Sequence, residues 1–550
     1  MNLLDIGLSG LNSARTRLET AGHNVANVAV QGFSRREVLQ STREWYPADQ
    51  QVILAGTRID DIRRVTSDFL VDQRHATSAD YGEAREFGDY LKRLDAYLGN
   101  EYTGVSSSVE RFVSALNAAE TEPASTAYRQ QIISEASAMA VKYNNLGRVL
   151  VDFSQQVDDQ LGAIAAETSA LSDSVATLNR TIRDGYSRGA HMADLEDQRD
   201  QLINQLTTRV GVQSLRQPDG MTSLFFRSGQ SLVQGECGYG LLMPHSAPDA
   251  MAIQPQLNRD GSLEPLRTDS GEMHGLARFR SEVLLPVLNV LGWQAAIISA
   301  GNNQILEDGL DLSGNPGAAL FNDVNAPDAC RARVIPEQLS GSATATLAVD
   351  TAQLAELKPS DYSLRVTERG GQLTYTVQRM MDNREVASGT LDATATTGVT
   401  FDGLVLELSP GSAKDDSYLL TPWRHETAAI RTVLTEPDRL GLASAGNGPG
   451  DNSNLSHLMT FMQSESFSAG TLPESSDRLL GRIATRSWQA TQQAESQALL
   501  KQEADTAWES RSGVNLDEEA GDLMRFQQHY QANARVLSAA QRVLDTLLSL

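Results

Sequence analysis

Cysteine is almost missing from this chain. Cys237 and Cys330 are the only two among 550 residues, too few for a disulfide framework or a four-cysteine zinc site. Basic residues are also scarce: 46 Lys and Arg stand against 70 Asp and Glu, a net charge of -24. That balance argues against a face that grips nucleic acid or an anionic membrane through many phosphate contacts. No stretch of about 18 uninterrupted apolar residues occurs, so membrane insertion is not expected. The opening residues, Met1 to Gly7, have no cationic stretch leading into an apolar one. If the chain leaves the cytoplasm, export without a cleaved signal is therefore expected. With 40% hydrophobic and 21% charged residues the composition is that of a folded protein, long enough for several domains.

Catalytic and metal-binding signatures are equally thin. The eight histidines (23, 75, 191, 245, 274, 425, 457 and 529) include no pair four residues apart, the spacing a helical zinc site needs. Gly446-Asn447-Gly448-Pro449-Gly450 has Asp451 where a dinucleotide-fold glycine would stand, and no Gly-Lys-Ser/Thr follows, so it reads as a plain loop. Asp308 to Gly317 misses the ligand spacing of an EF-hand. Acidic neighbours such as Asp415-Asp416 and Glu518-Glu519 read as solvated faces, since adjacent carboxylates seldom converge on one substrate. No enzyme, cofactor or metal is expected, although a site built from distant residues would leave no contiguous motif.

What is present lies at the two ends. Leu4, Gly7, Leu11, Ala14, Leu18, Ala21, Val25 and Val28 step by three and four, an a/d stripe. Leu516, Glu519, Leu523, Phe526, Tyr530, Asn533, Leu537, Ala540, Leu544 and Leu547 repeat that step. At about 1.5 Å per residue the stripes run roughly 37 and 48 Å. A narrow apolar stripe cannot bury itself, and the nearest partner for each end is the other. An antiparallel coiled coil is predicted, with the middle of the chain projecting from one end and sides left for neighbouring copies to cover. The bland alternative is two amphipathic helices packed on a globular core.

Between the ends the pattern alternates between helix and strand. Gly32 supplies a helix stop or turn. After a mixed stretch with Pro47 and Gly56, helix is predicted from about Ile62 to Leu98 and from Val105, with a break at Glu122-Pro123. A long rod follows through Leu146, Leu150, Phe153, Val157, Leu161, Ile164, Leu171, Val175, Leu178 and Ile182, then a helix over 194–210. Short apolar runs punctuated by turns predict a small β insert near 211–274. Helix returns from Gly275 to about Leu306, with Pro286 at a boundary or kink. From about 334 to 422, alternating Tyr362/Leu364/Val366, Leu373/Tyr375/Val377 and Leu404/Leu406/Leu408, with turns at Gly370-Gly371 and Asp402-Gly403, predict strands. Helices are expected again over 454–462 and about 474–508. The fold class predicted is mainly α with inserted β, discontinuous and multidomain. It comprises a terminal coiled-coil domain (1–45 with 510–550), a long-helix bundle body (46–330 with 423–509) and a central β-rich outer domain (331–422).

The segment following the first stripe resembles the shared motif of the rod, hook and hook-associated family of bacterial flagellar axial proteins, approximately Asn-x-Ala-Asn-x-x-Thr-Pro-Gly-Tyr/Phe. Asn24, Ala26, Asn27, Gly32 and Phe33 match it, while Val30 and Gln31 stand in for Thr and Pro. The end of the chain, Gly513 to Ala520 and Phe526 to Ala532, is similar to hook-associated members, as are Asp197 to Leu202 and Tyr362 to Val377. This resemblance implies a structural protein joining hook to filament, exported through the flagellar type III apparatus and assembled as a ring of its own copies. It implies as partners the hook protein, hook-associated protein 3 and an export chaperone at the C-terminal helix. A hook or distal rod component is the nearer alternative reading; an adhesin or cell-wall enzyme with helical multimerisation ends is the more distant one.

Overall fold

The structure, a computed structural model, describes residues 3–45, 53–99, 105–243, 255–259, 261–444, 448, 450–464 and 471–548. The chain enters through helix α1 (Leu3–Ala26) and then forms an antiparallel hairpin, β1 (Arg36–Trp45) with β2 (Ile53–Arg64). Sequence patterning predicts no strand here, and the boundary expected at 45 falls between the two strands. The hairpin hides because charges sit on both of its faces. Arg36 and Glu37 open one strand, and Arg63 and Arg64 close the other, so no period-two alternation survives.

The helical body follows: α2 (Asp68–Leu98), α3 (Ser106–Ala119), α4 (Thr126–Ser187) and α5 (Ala193–Val210). The break expected at Pro123 separates α3 from α4. Helix α4 has 62 residues, roughly 93 Å at the standard rise. Its middle third buries Leu146, Leu150, Phe153, Val157, Leu161 and Ile164 in the core. Further along, buried polar residues take over part of the face. Ser172 donates to the carbonyl of Tyr239 (2.9 Å), and the Asn179 amide donates to those of Thr222 and Gly235 (2.7 Å each), tying the rod to the β insert. That insert is a four-stranded sheet, β3 (Gln213–Arg216), β4 (Thr222–Phe225), β5 (Ser231–Gln234) and β6 (Cys237–Gly238), and a three-stranded one, β7 (Gly240–Leu242), β8 (Gln256–Arg259) and β9 (Ser262–Pro265).

Helix α6 (Gly271–Phe279) passes through one π-helical turn (Arg280–Leu284) into α7 (Leu285–Asp308). Pro286 stands at the start of α7 and has no N–H for the carbonyl of Glu282. The Arg486 guanidinium donates to that carbonyl instead (2.8 Å) and to the Glu282 carboxylate (2.7 Å). By hydropathy this composite helix could cross a membrane, but 83% of the qualifying window is buried within the protein, which makes it a core helix.

The β-rich region begins after α8 (Pro327–Ala332). Its strands are β10 (Val334–Gln338), β11 (Ala345–Val349), β12 (Tyr362–Arg369), β13 (Gln372–Arg379), β14 (Arg384–Thr390), β15 (Thr397–Phe401), β16 (Leu404–Leu408) and β17 (Ser417–Leu420). They form one sheet in the order β10-β17-β12-β13-β14 and another in the order β11-β16-β15. Both predicted turns are left-handed, Gly370-Gly371 at φ +60 and +81 and Asp402-Gly403 at φ +44 and +71, as two-residue hairpins require. The chain then returns through α9 (Glu426–Ala429), α10 (Ser453–Met462), α11 (Leu472–Ser512) and α12 (Leu516–Leu548). In the glycine-rich loop before α10, Gly446, Asn447 and Pro449 lie outside the described residues.

Candidate assembly interface

The two terminal helices lie against each other, running in opposite directions. Residue numbers rise along α1 as they fall along α12: Gly7 meets Leu537, Gly10 meets Asn533, Arg17 stacks on Phe526 and Asn24 reaches Glu519. The approach is close because glycine allows it. A Cβ on Gly10 would stand 2.5 Å from the Asn533 amide oxygen, and one on Gly7 would stand 3.3 Å from the Leu537 nitrogen. The hairpin covers a second side of α1, where Ser13 donates to the Gln40 side chain (2.6 Å) and the Thr57 N–H donates to Ser9 (3.2 Å).

Within the predicted stripes the small residues are better buried than the large. Gly7, Ala14 and Ala21 are buried, together with Ser13, Thr20 and Asn24, whereas Leu4, Leu11, Leu18 and Val25 are half-buried. Val28, past the end of α1, is exposed. On α12, Phe526, Ala540 and Glu519 are buried, while Leu523, Asn533, Leu537 and Leu544 are half-buried. Leu516 and Tyr530 are exposed, which departs from the expected seam, and the Leu547 side chain lies outside the described residues. A pair of helices touches along one row each, so the flanking row stays open. Ile6, Leu8, Met524, Val536 and Val543 are exposed around the same pair. Asn533 donates to the carbonyl of His529 in its own helix (2.9 Å).

At the root of the pair the motif residues tie the ends to the body. The buried Asn24 amide pairs with the backbone of Arg36 as a strand would, donating to its carbonyl (3.1 Å) and accepting from its N–H (3.0 Å). Its amide also donates to Glu519 (3.2 Å). Asn27 folds back on the carbonyl of His23 (2.9 Å) where α1 ends, and Ala26 is exposed there. Helix α1 therefore stops before Gly32, whose φ of +79 makes a turn further on rather than the helix stop. Phe33 packs between the His23 ring (5.6 Å) and the Arg36 guanidinium (5.1 Å).

Arginines complete the junction. Arg35 bridges Glu519 and Glu518 on α12, both at 2.8 Å, and its N–H donates to the carbonyl of Ser512 (2.7 Å). Arg64 meets Glu196 and Asp197 at 2.8 Å and Asp200 at 3.0 Å. Burial alone would lower the Arg64 pKa, but Asp200, Glu196 and Asp197 outweigh it and hold the guanidinium above its ordinary value. Burial pushes the Asp197 carboxyl up even as Arg64 and Ser34 pull it down. The arginine governs the pair, because three carboxylates converge on it. Arg36 pairs with Asp194 and, by donating to it, holds that carboxyl below the usual range. None of this network is predictable from spacing, since its partners come from α1, the hairpin, α5 and α12.

Two family models match the interior: the flagellar hook-associated protein FlgK helical domain over residues 91–321 and the flagellar hook-associated protein 1 D2-like domain over 337–422. A third, the flagellar basal body rod FlgEFG protein C-terminal model, matches 509–550. Flagellar hook-associated protein 1 of Salmonella typhimurium is 27% identical over 564 residues, covering 100% of both chains. The chain belongs to the flagellar hook-associated protein 1 family. The Escherichia coli relative is 25% identical, again over 100% of both chains. The structure of the flagellar hook junction protein FlgK from Burkholderia pseudomallei shares the fold, with a TM-score of 0.71 and 20% identity over 80% of this chain and 100% of that one. Members of the family are flagellar structural proteins of the cell exterior, not enzymes.

Proposed function

We propose that this chain joins hook to filament as a ring of identical subunits, closed by the terminal helices of neighbouring copies. The observation that carries the reading is the one-sided burial of the antiparallel pair. Its central row is covered, yet Ile6, Leu8, Met524, Val536 and Val543 remain exposed beside it. In a coiled coil of two strands such a flank is surplus; in a packed tube it is the contact with the next copy. Before assembly the two helices are loosely held, and they gain order as copies bury that flank. Ordering costs roughly 1–2 kcal/mol per residue, so lateral burial is part of folding the ends. The hook protein and hook-associated protein 3 are the neighbours on either side of the ring. An export chaperone shields the apolar residues of α12 until the chain passes unfolded through the flagellar type III apparatus.

Imaging of cells lacking the protein tests this: hooks without filaments are expected, and normal filaments would overturn the reading. Amide exchange tests the folding step. Residues 4–28 and 516–547 should exchange freely in dilute monomer and become protected on assembly; full protection in the monomer would overturn it.

A further inference from the structure

At the root of the helix pair, α1, α12, the end of α11 and the hairpin enclose a cleft of about 660 Å³. Seven arginines and only three carboxylates line it, in a chain whose net charge is -24. Most of these arginines are already answered. Arg35 has Glu518 and Glu519, Arg36 has Asp194, and Arg64 has its three acids on α5. Arg63 reaches Glu37 at 3.4 Å, and Arg525 pairs with Asp522 at 2.5 Å. Arg17 and Arg511 have no carboxylate within ion-pair distance among the described residues. Arg17 and Arg525 both lie 5.3 Å from the Phe526 ring centre, so two cations share one aromatic ring and repel each other across it. A carboxylate arriving there would relieve that repulsion and accept charge-assisted hydrogen bonds from guanidinium forks suited to it.

We propose that this cleft receives a carboxylate-bearing segment of a second copy of the chain. The proposal rests on the ring reading above and adds a polar contact to its apolar one. Charge complementarity selects the occupant: each copy carries a surplus of acidic groups, and the cleft holds two guanidinium groups, Arg17 and Arg511, that no carboxylate answers among the described residues. Helix α12, which lines the cleft through Glu519, Asp522, Arg525 and Phe526, also carries exposed Leu516 and Met524, so one incoming subunit would cover both features.

The test uses the full chain carrying Arg17→Gln with Arg511→Glu, beside wild type and Leu523→Asp. Self-association is followed by sedimentation over a salt series, and incorporation at hook ends by imaging. The double variant should melt as wild type does, yet associate at least about tenfold more weakly and lose part of the salt dependence. If it misfolds, Arg511→Gln alone, on an exposed helix surface, serves the same comparison and should weaken association severalfold. Unchanged association and salt slope in the variants, with Leu523→Asp defective, would overturn the cleft and leave the ring reading standing. Absence of wild-type protein from hook ends would instead sink the ring reading. Normal self-association with lost incorporation would assign the cleft to a different protein and overturn the second-copy proposal.

Discussion

Helices α4 and α12 are both long and both carry heptad-like stripes, yet they are finished to different degrees. Helix α4 buries residues along nearly its whole length, from Arg129 to Ile182, whereas α12 buries only Glu519, Phe526 and Ala540 among its described side chains. The stripes alone do not tell these two apart. Helix α4 lies among α3, α5, α7 and the β insert, while α12 has α1 as its main neighbour. The lesson is that a repeat of apolar residues specifies a face to be covered, and the number of elements the chain supplies decides whether it is.

Mutations can sharpen that contrast. The largest effect is expected from a charge in the finished helix: Val157→Asp, at a fully buried position, should cost more than about 4 kcal/mol and abolish the cooperative melting of the body. Leu523→Asp, at a half-buried position on α12, should leave that melting unchanged while eliminating incorporation at the hook. A thermal scan and a motility assay separate the two. Next, Arg35→Ala strands the nearly buried Glu519 carboxylate, for a loss of about 3 kcal/mol. The loss should appear in the assembled protein, where α12 is protected, as faster amide exchange in α12 with none in α4.

Acid should act on the finished region. Burial, with help from Arg74 and Arg216 and against Asp200, pushes the pKa of His75 on α2 down to about 4. The folded chain then refuses a proton that the unfolded chain accepts below about 6.5, so stability is full above that pH and falls by about 3 kcal/mol toward pH 4. Replacing His75 with Gln should flatten this part of the denaturation profile. The smallest effect is expected at the π turn. Arg486→Ala should cost about 1 kcal/mol by uncapping the Glu282 carbonyl, and less when Pro286→Ala restores a backbone donor, as melting temperatures of the single and double variants would show.

Much of the architecture is legible before any coordinates. The α4 rod, the break at Pro123, the proline boundary before α7 and the strands around Tyr362, Leu373 and Leu404 follow from periodicity, because each face meets one dominant environment. Three features are not legible. The hairpin of β1 and β2 carries charge on both faces. The a/d stripe contains Gly7, Ala14 and Ala21 but does not rank them above its leucines; they are the buried line because small residues permit the close approach that large ones only flank. The Arg35, Arg36 and Arg64 junction joins residues hundreds of positions apart, and no local rule pairs them. The motif residue Asn24 hints at this junction, because its amide does work that a strand backbone would otherwise do.

The uninterrupted course of α4 has a mechanical consequence. A single helix of 62 residues, propped along its flank, resists bending far better than two shorter ones joined by a loop. Push or twist delivered to one extremity would reach the other with little give, making the rod a stiff strut for whatever load the flagellum places on it.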